Sequence, residues 1–150
     1  MSIRTETKYY ANGTVQSRYY YNTNNELHCE DGPAAEWFHE EGTIKCRKWY
    51  IHGKLHCDDG PAEQWFSYSG MILTQAWFVN GKRHCTYGPA YESFHLNGMI
   101  GIRSWHLNDK RHREGSPAFE EYYKSGELKE LAWYQSDKRH RFAQLRKNKC

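Results

Sequence analysis

Trp49-Tyr50-Ile51-His52-Gly53-Lys54-Leu55-His56-Cys57-Asp58-Asp59-Gly60-Pro61-Ala62 decides the fold, because the chain states this phrase again and again at a fixed interval. His28, His56, His84, His112 and His140 stand 28 residues apart, and Pro33, Pro61, Pro89 and Pro117, all four prolines of the protein, keep that step. Trp49, Trp77, Trp105 and Trp133 keep it too, as do Gly42, Gly70, Gly98 and Gly126, and Ala34, Ala62, Ala90 and Ala118. Independent residue types in one register define a tandem array.

Working outward, the array divides into units 8–34, 35–62, 63–90, 91–118 and 119–141, with a lead-in at 1–7 and a basic tail at 142–150. The first unit is degenerate: Tyr20-Tyr21 stands where later units have Trp-Tyr or Trp-Phe, and Asn22-Thr23-Asn24-Asn25 is one residue longer than the corresponding turn. The fifth loses Gly-Pro-Ala after Lys138-Arg139-His140. Terminal repeats are atypical because one side has no neighbour.

Glycine turns at Glu41-Gly42, Ser69-Gly70, Asn97-Gly98 and Ser125-Gly126 alternate with a second set at His52-Gly53, Asn80-Gly81 and Asn108-Asp109. Asn-Gly between aromatic and β-branched runs is a strong hairpin signal. The expected fold is therefore all-β: an elongated, twisted antiparallel sheet of about five tandem 28-residue hairpin repeats. Gly60-Pro61 is read as a kink joining two half-strands, so that residues 54–66 form one long bent strand and 71–79 a shorter one.

Hydrophobic residues make up 38% of the chain while 12 Tyr, 6 Trp and 6 Phe supply large flat side chains. That composition suits a half-buried sheet surface better than a large two-sided core. No apolar run reaches the roughly 18 residues of a membrane span, and Met1-Ser2-Ile3-Arg4 does not open a signal peptide. The expectation is a protein used inside a cell, in a reducing compartment. Residues 1–137 hold 15 Lys/Arg against 18 Asp/Glu, and residues 138–150 hold six Lys/Arg and no acid, which gives −3 and +6 for the net +3. The basic tail is a solvated end or a contact for nucleic acid, acidic protein or anionic lipid.

The phrases Phe78-Val79-Asn80-Gly81-Lys82, Phe94-His95-Leu96-Asn97-Gly98 and Trp105-His106-Leu107-Asn108-Asp109 resemble the MORN type of β-hairpin repeat. The added Lys-Leu-His-Cys-Asp-Asp-Gly-Pro-Ala is similar to a longer variant in proteins of large DNA viruses and phages. The unit is longer than the standard motif and lacks several of its glycines. The resemblance implies an extended scaffold that self-associates or binds protein partners, with lipid headgroups as a further ligand class, and it puts a virion or an infected-cell cytoplasm among the settings.

His28-Cys29, His56-Cys57 and His84-Cys85 invite a zinc reading, but neighbouring residues on a strand face opposite sides, and cysteines one hairpin apart stand about 9.6 Å from each other. Arg113 and Arg141 replace the cysteine in the last units. No metal and no cofactor is expected. One residue type recurring in every unit is the mark of structure or multivalent binding, and no catalytic constellation appears, so the chain is read as non-enzymatic. The histidines, with Gly60 and Pro61, are assigned to the repeat's structure, each imidazole bonding its own Asp-Gly-Pro turn, for example at Asp31 or Asp59.

The candidate partner-binding row is Trp49, Trp77, Trp105 and Trp133, since exposed aromatic residues make interface hot spots. The alternative is an anion-binding rail of Lys54, Lys82, Arg83, Lys110, Arg111, Lys138 and Arg139 for acidic lipid, nucleic acid or a phosphorylated small molecule.

Overall fold

The computed structural model describes residues 4–144. The described residues form strands and turns without a helix, and the long strands share one eleven-stranded antiparallel sheet that is not closed into a barrel. The basic tail beyond residue 144 lies outside the described residues. The chain divides into two compact units, Met1–Lys82 and Arg83–Cys150.

In the first, β1 (Arg4–Tyr9) and β2 (Val15–Tyr21) are followed by β3 (Ala35–Phe38), β4 (Ile44–Lys48), β5 (Tyr50–Ile51), β6 (Lys54–Leu55), β7 (Glu63–Phe66), β8 (Ile72–Ala76) and β9 (Phe78–Val79), and β10 (Lys82–Arg83) closes a small hairpin with β9. The sheet order is β1-β2-β3-β4-β7-β8, while β5 and β6 form a two-stranded ladder of their own. In the second unit, β11 (Tyr91–Phe94), β12 (Ile100–Ser104), β15 (Phe119–Tyr122), β16 (Leu128–Gln135) and β17 (Lys138–Gln144) lie in sequence in the sheet, with β13 (His106–Leu107) and β14 (Lys110–Arg111) as a satellite hairpin.

The main hairpins share one turn. In β3–β4, Gly42 N–H bonds His39 O at 2.9 Å, His39 N–H bonds Thr43 O at 2.8 Å, and Gly42 takes φ +87°. This is a type I turn closed by a left-handed glycine, and it leaves a bulge between Trp37 and Phe38. The same bonds recur at Ser67–Met71, His95–Met99 and Tyr123–Glu127. The satellite hairpins use the other turn. Asn80 and Gly81 have φ 51° and 81°, and Asn108 and Asp109 have 50° and 71°, so both central residues are left-handed as a type I′ turn requires.

The long bent strand read over 54–66 is not formed. Residues 56–62 leave the ladder because their backbone groups are engaged elsewhere: His56 N–H bonds Trp49 O at 3.1 Å and Cys57 N–H bonds Phe78 O of the following satellite hairpin at 3.4 Å. Each middle repeat thus supplies two strands to the main sheet and one small hairpin beside it. Gly60 is not in the left-handed region and a Cβ there would meet nothing within 4 Å, so the segment does not need glycine, and Ser116 fills the equivalent place before Pro117.

The first repeat absorbs its extra residue in the turn. Trp49 N–H bonds Ala62 O at 2.8 Å and Trp105 N–H bonds Ala118 O at 2.9 Å, and in the first repeat Tyr20 N–H makes that bond to Ala34 O at 2.9 Å. Strand pairing resumes in register beyond it. Ala34, Ala62, Ala90 and Ala118 are fully buried, with Ala35, Ala76, Ala132 and Cys46, and no side chain larger than Cys46 is fully buried among the described residues. Ala34, Ala62 and Ala118 sit where the chain after proline returns to the sheet, their carbonyls accepting from Tyr20, Trp49 and Trp105.

The sheet's other face carries cross-strand polar pairs. Glu36 lies opposite Arg47 and bonds its Nε at 3.3 Å, Glu92 does the same with Arg103 at 3.1 Å, and between them in sequence Gln64 lies opposite Gln75. Both members of the pair change together.

Candidate functional site

His28, His56 and His84 each bond the next repeat. His28 Nδ1 accepts His52 N–H at 3.2 Å, His56 Nδ1 accepts Asn80 N–H at 3.2 Å and His84 Nδ1 accepts Asn108 N–H at 3.3 Å. An accepting Nδ1 fixes the neutral ring with its proton on Nε2. Nε2 then faces the residue two places on: Asp58 Oδ1 lies 3.1 Å from His56, Thr86 Oγ1 3.3 Å from His84, and Glu30 Oε1 3.6 Å from His28. The partners read from sequence, Asp31 and Asp59, are therefore not the ones used. Backbone bonds run beside this column, from Gly53 N–H to Leu27 O, Gly81 to Leu55, Asp109 to Arg83 and Asp137 to Arg111, all between 2.8 and 3.0 Å.

Trp49, Trp77, Trp105 and Trp133 sit where the chain passes from main strand to satellite hairpin or, in the last repeat, within β16, and all are half-buried. Arg113 stacks on Trp105 at 3.9 Å and Arg141 on Trp133 at 4.5 Å. These arginines occupy the place held by Cys29, Cys57 and Cys85 earlier in the chain. Cys29, Cys46, Cys57 and Cys85 are free thiols. No group of three or more potential metal ligands gathers among the described residues.

The cation rail separates into two kinds. Lys54, Lys82, Lys110 and Lys138 are exposed, whereas Arg83 and Arg111 are half-buried, Arg83 over Tyr91 at 5.1 Å and Arg111 over Phe119 at 5.1 Å. Arg139 is exposed and lies over Phe142 at 5.3 Å. The arginines serve packing, and the lysines face water.

Accessible aromatic and apolar surface lies elsewhere than the expected tryptophan row. Tyr68 is 70% exposed at the tip of β7–β8 with one ring face stacked on buried His39 at 3.8 Å, and Met71 and Ile72 are exposed beside it. In the second unit the tip of β11–β12 carries exposed Leu96 and Met99. On the sheet face of the first unit, Trp37, Lys45, Lys48 and Trp65 line a cleft of about 150 Å³. Sequence reading missed these residues although a signal was present: of the six tryptophans, Trp37 and Trp65 stand 28 apart in a register of their own.

One buried polar pair also went unread. Ser104 and His106 occupy the places of Ala76 and Phe78, and both are buried. His106 Nδ1 donates to Asp109 O at 3.2 Å, which leaves Nε2 to accept from Ser104 Oγ at 2.8 Å. Burial pushes the His106 pKa below its ordinary value, and the nearby Arg83 and Arg111 push the same way. With 2% of Ser104 accessible, the hydroxyl is closed to a substrate, and the pair acts as internal packing.

No family model matches the chain, and no curated protein matches it.

Proposed function

We propose that this is a non-enzymatic adaptor or structural repeat protein that binds a protein partner through the apolar tips of its main-sheet hairpins. The observation that carries the reading is Tyr68, a large aromatic side chain held on His39 at 3.8 Å and yet 70% exposed at a turn, where polar residues ordinarily stand. Leu96 and Met99 repeat the feature in the second unit. The flanking tips carry Glu40-Glu41 and Lys124-Ser125 instead, so large apolar tip residues are confined to units 63–90 and 91–118. Repetition supports the non-enzymatic part: His28, His56 and His84 recur because each joins its repeat to the next. The resemblance to repeats of large DNA viruses makes a virion or viral assembly inside the host cell the setting proposed.

The test is recovery of partners with tagged wild-type protein and with Tyr68→Ala/Leu96→Ser, folding being followed by thermal melt. A folded variant that retains every wild-type partner overturns the reading. A second reading is anion binding by Lys54, Lys82, Lys110 and Lys138, favoured because these lysines are exposed while the arginines beside them are mostly laid on aromatic rings. Binding through that row weakens steeply with salt, and binding through the tips does not.

A further inference from the structure

The face of the main sheet in the first unit has a feature that neither the hairpin tips nor the lysine row explains. Successive cross-strand partners there run Lys8, Ser17, Trp37, Cys46, Trp65 and Thr74. Large and small residues alternate, and the small ones are sealed: Ser17 is 2% exposed and Cys46 0%. In the register Cys46 lies between Trp37 and Trp65, and Ser17 between Lys8 and Trp37. Trp65 is 38% exposed, and its Nε1 donates to Glu63 Oε1 at 2.7 Å, which fixes the ring. Trp37 meets Tyr19 edge to face at 5.6 Å. Two strand spacings set the tryptophans about 9.6 Å apart.

Cations are threaded through this platform. Lys48 Nζ lies 5.9 Å from the Trp37 ring and 5.7 Å from the Trp65 ring, and Lys8 Nζ lies 5.9 Å from Tyr19. Lys45 lines both the cleft between the tryptophans and a neighbouring depression of about 300 Å³ that Lys8, Tyr10 and Tyr19 also border. Arg4, Lys8, Lys45 and Lys48 stand against Glu6 and Glu63, so the face is net positive. Burial works against the Lys48 charge, but the 3.0 Å bond and attraction of Glu63 more than offset it and hold the ammonium protonated above its ordinary range.

We propose that this platform binds single-stranded nucleic acid, with bases stacking on Trp65 and Trp37 and phosphates meeting Lys45, Lys48 and Lys8. Fixed aromatic faces interleaved with cations are what an unpaired strand needs: every base offers a π-face, and the backbone offers one negative charge per nucleotide. A duplex hides its base faces and cannot use the indoles. A neutral sugar could use the indoles but would leave the cations unanswered. The recognition is tolerant of sequence, because the platform shows no array of donors and acceptors aimed at base edges.

The experiment is fluorescence anisotropy of a labelled oligothymidylate of about 15 nucleotides, compared with an abasic strand of equal length, the matching duplex and a neutral cello-oligosaccharide. The expected order is oligothymidylate first, with the abasic strand and duplex weaker by at least about tenfold, since neither can stack bases on the indoles. Trp65→Ala loses about tenfold, Trp65→Phe recovers part of that, and Lys45→Glu lowers both affinity and the slope against log salt. Lys45 is exposed, so that variant reads binding without disturbing the fold. Equal binding of the oligothymidylate and the abasic strand would reduce the site to plain charge and overturn the proposal. So would absence of oligothymidylate binding at about 50 mM salt, or cello-oligosaccharide binding in its place. Tyr68→Ala/Leu96→Ser is expected to leave this affinity unchanged, so failure here and failure of the adaptor reading are distinguishable.

Discussion

His56 Nδ1 accepts the backbone N–H of Asn80 at 3.2 Å, so a side chain in one repeat completes the turn of the next. His28 does the same for His52 at 3.2 Å, with its own ring buried to 5% exposure and tilted at 40° against the His52 ring, centroids 4.7 Å apart. Loss of the acceptor is worse where water cannot replace it. His28→Ala is expected to cost about 2–3 kcal/mol and His56→Ala about 1 kcal/mol, the range for a donor left unpaired in buried and accessible settings. An asparagine at either place restores an acceptor and part of the loss. Urea unfolding of the four variants checks this, and an equal cost at both sites would contradict it.

Asp109 holds a left-handed φ of 71° where the earlier satellite turns have Gly53 and Gly81. Its carboxylate explains the exchange, since Oδ1 accepts Arg83 N–H at 2.7 Å, and Asp137 treats Arg111 identically at 2.7 Å. Asp109→Gly relieves about 1 kcal/mol of backbone strain but removes a charge-assisted bond of about 1.5–3 kcal/mol. The net expectation is destabilisation by roughly 1 kcal/mol, and Asp109→Asn falls between the two. A Gly variant more stable than wild type in thermal melts would show that strain dominates.

His106 makes stability depend on pH. Its folded pKa lies below the ordinary value because of burial, so the unfolded chain binds a proton that the folded one resists. Stability is fully present above about pH 6.5, falls as pH drops through that value toward the lowered folded pKa, and changes no further below it on this residue's account. Ser104→Ala/His106→Phe imports the Ala76/Phe78 pair of the preceding repeat and should remove that component. The comparison is denaturant midpoint for wild type and double variant at pH 7.5 and pH 5. An unchanged difference between the two pH values would assign the effect to other groups.

Cys46 is fully buried between Trp37 and Trp65 in the strand register, and burial pushes its thiol up to about 12. The thiolate is the reactive form, so iodoacetamide at pH 8 should leave Cys46 untouched in the folded protein while half-buried Cys29, Cys57 and Cys85 react. Peptide mapping after a timed pulse reads each site. Modification of Cys46 at the rate of Cys57 would mean that the tryptophan platform opens in solution.

Period, turn chemistry and the all-β class were legible in the chain alone, because they are local. Gly42 and its counterparts mark a turn wherever they stand, and Asn80-Gly81 bends a hairpin in any context where two β-forming runs flank it. Composition likewise spoke against a large two-sided core, whereas the identity of the buried set, alanines with Cys46, came from the tertiary structure. What the tertiary structure decided depends on residues about one repeat apart meeting at a set height. The bond from Asn80 to His56 of the preceding repeat, the departure of residues 56–62 from the ladder, and the laying of Arg113 on Trp105 all follow from how satellite hairpins stack. A single register sends Trp49 and its counterparts into half-buried crossings and leaves Trp65 open, although the two have the same side chain and the same period. Periodicity fixes which residues are equivalent, and only the packing of strand against strand settles which equivalent set faces water.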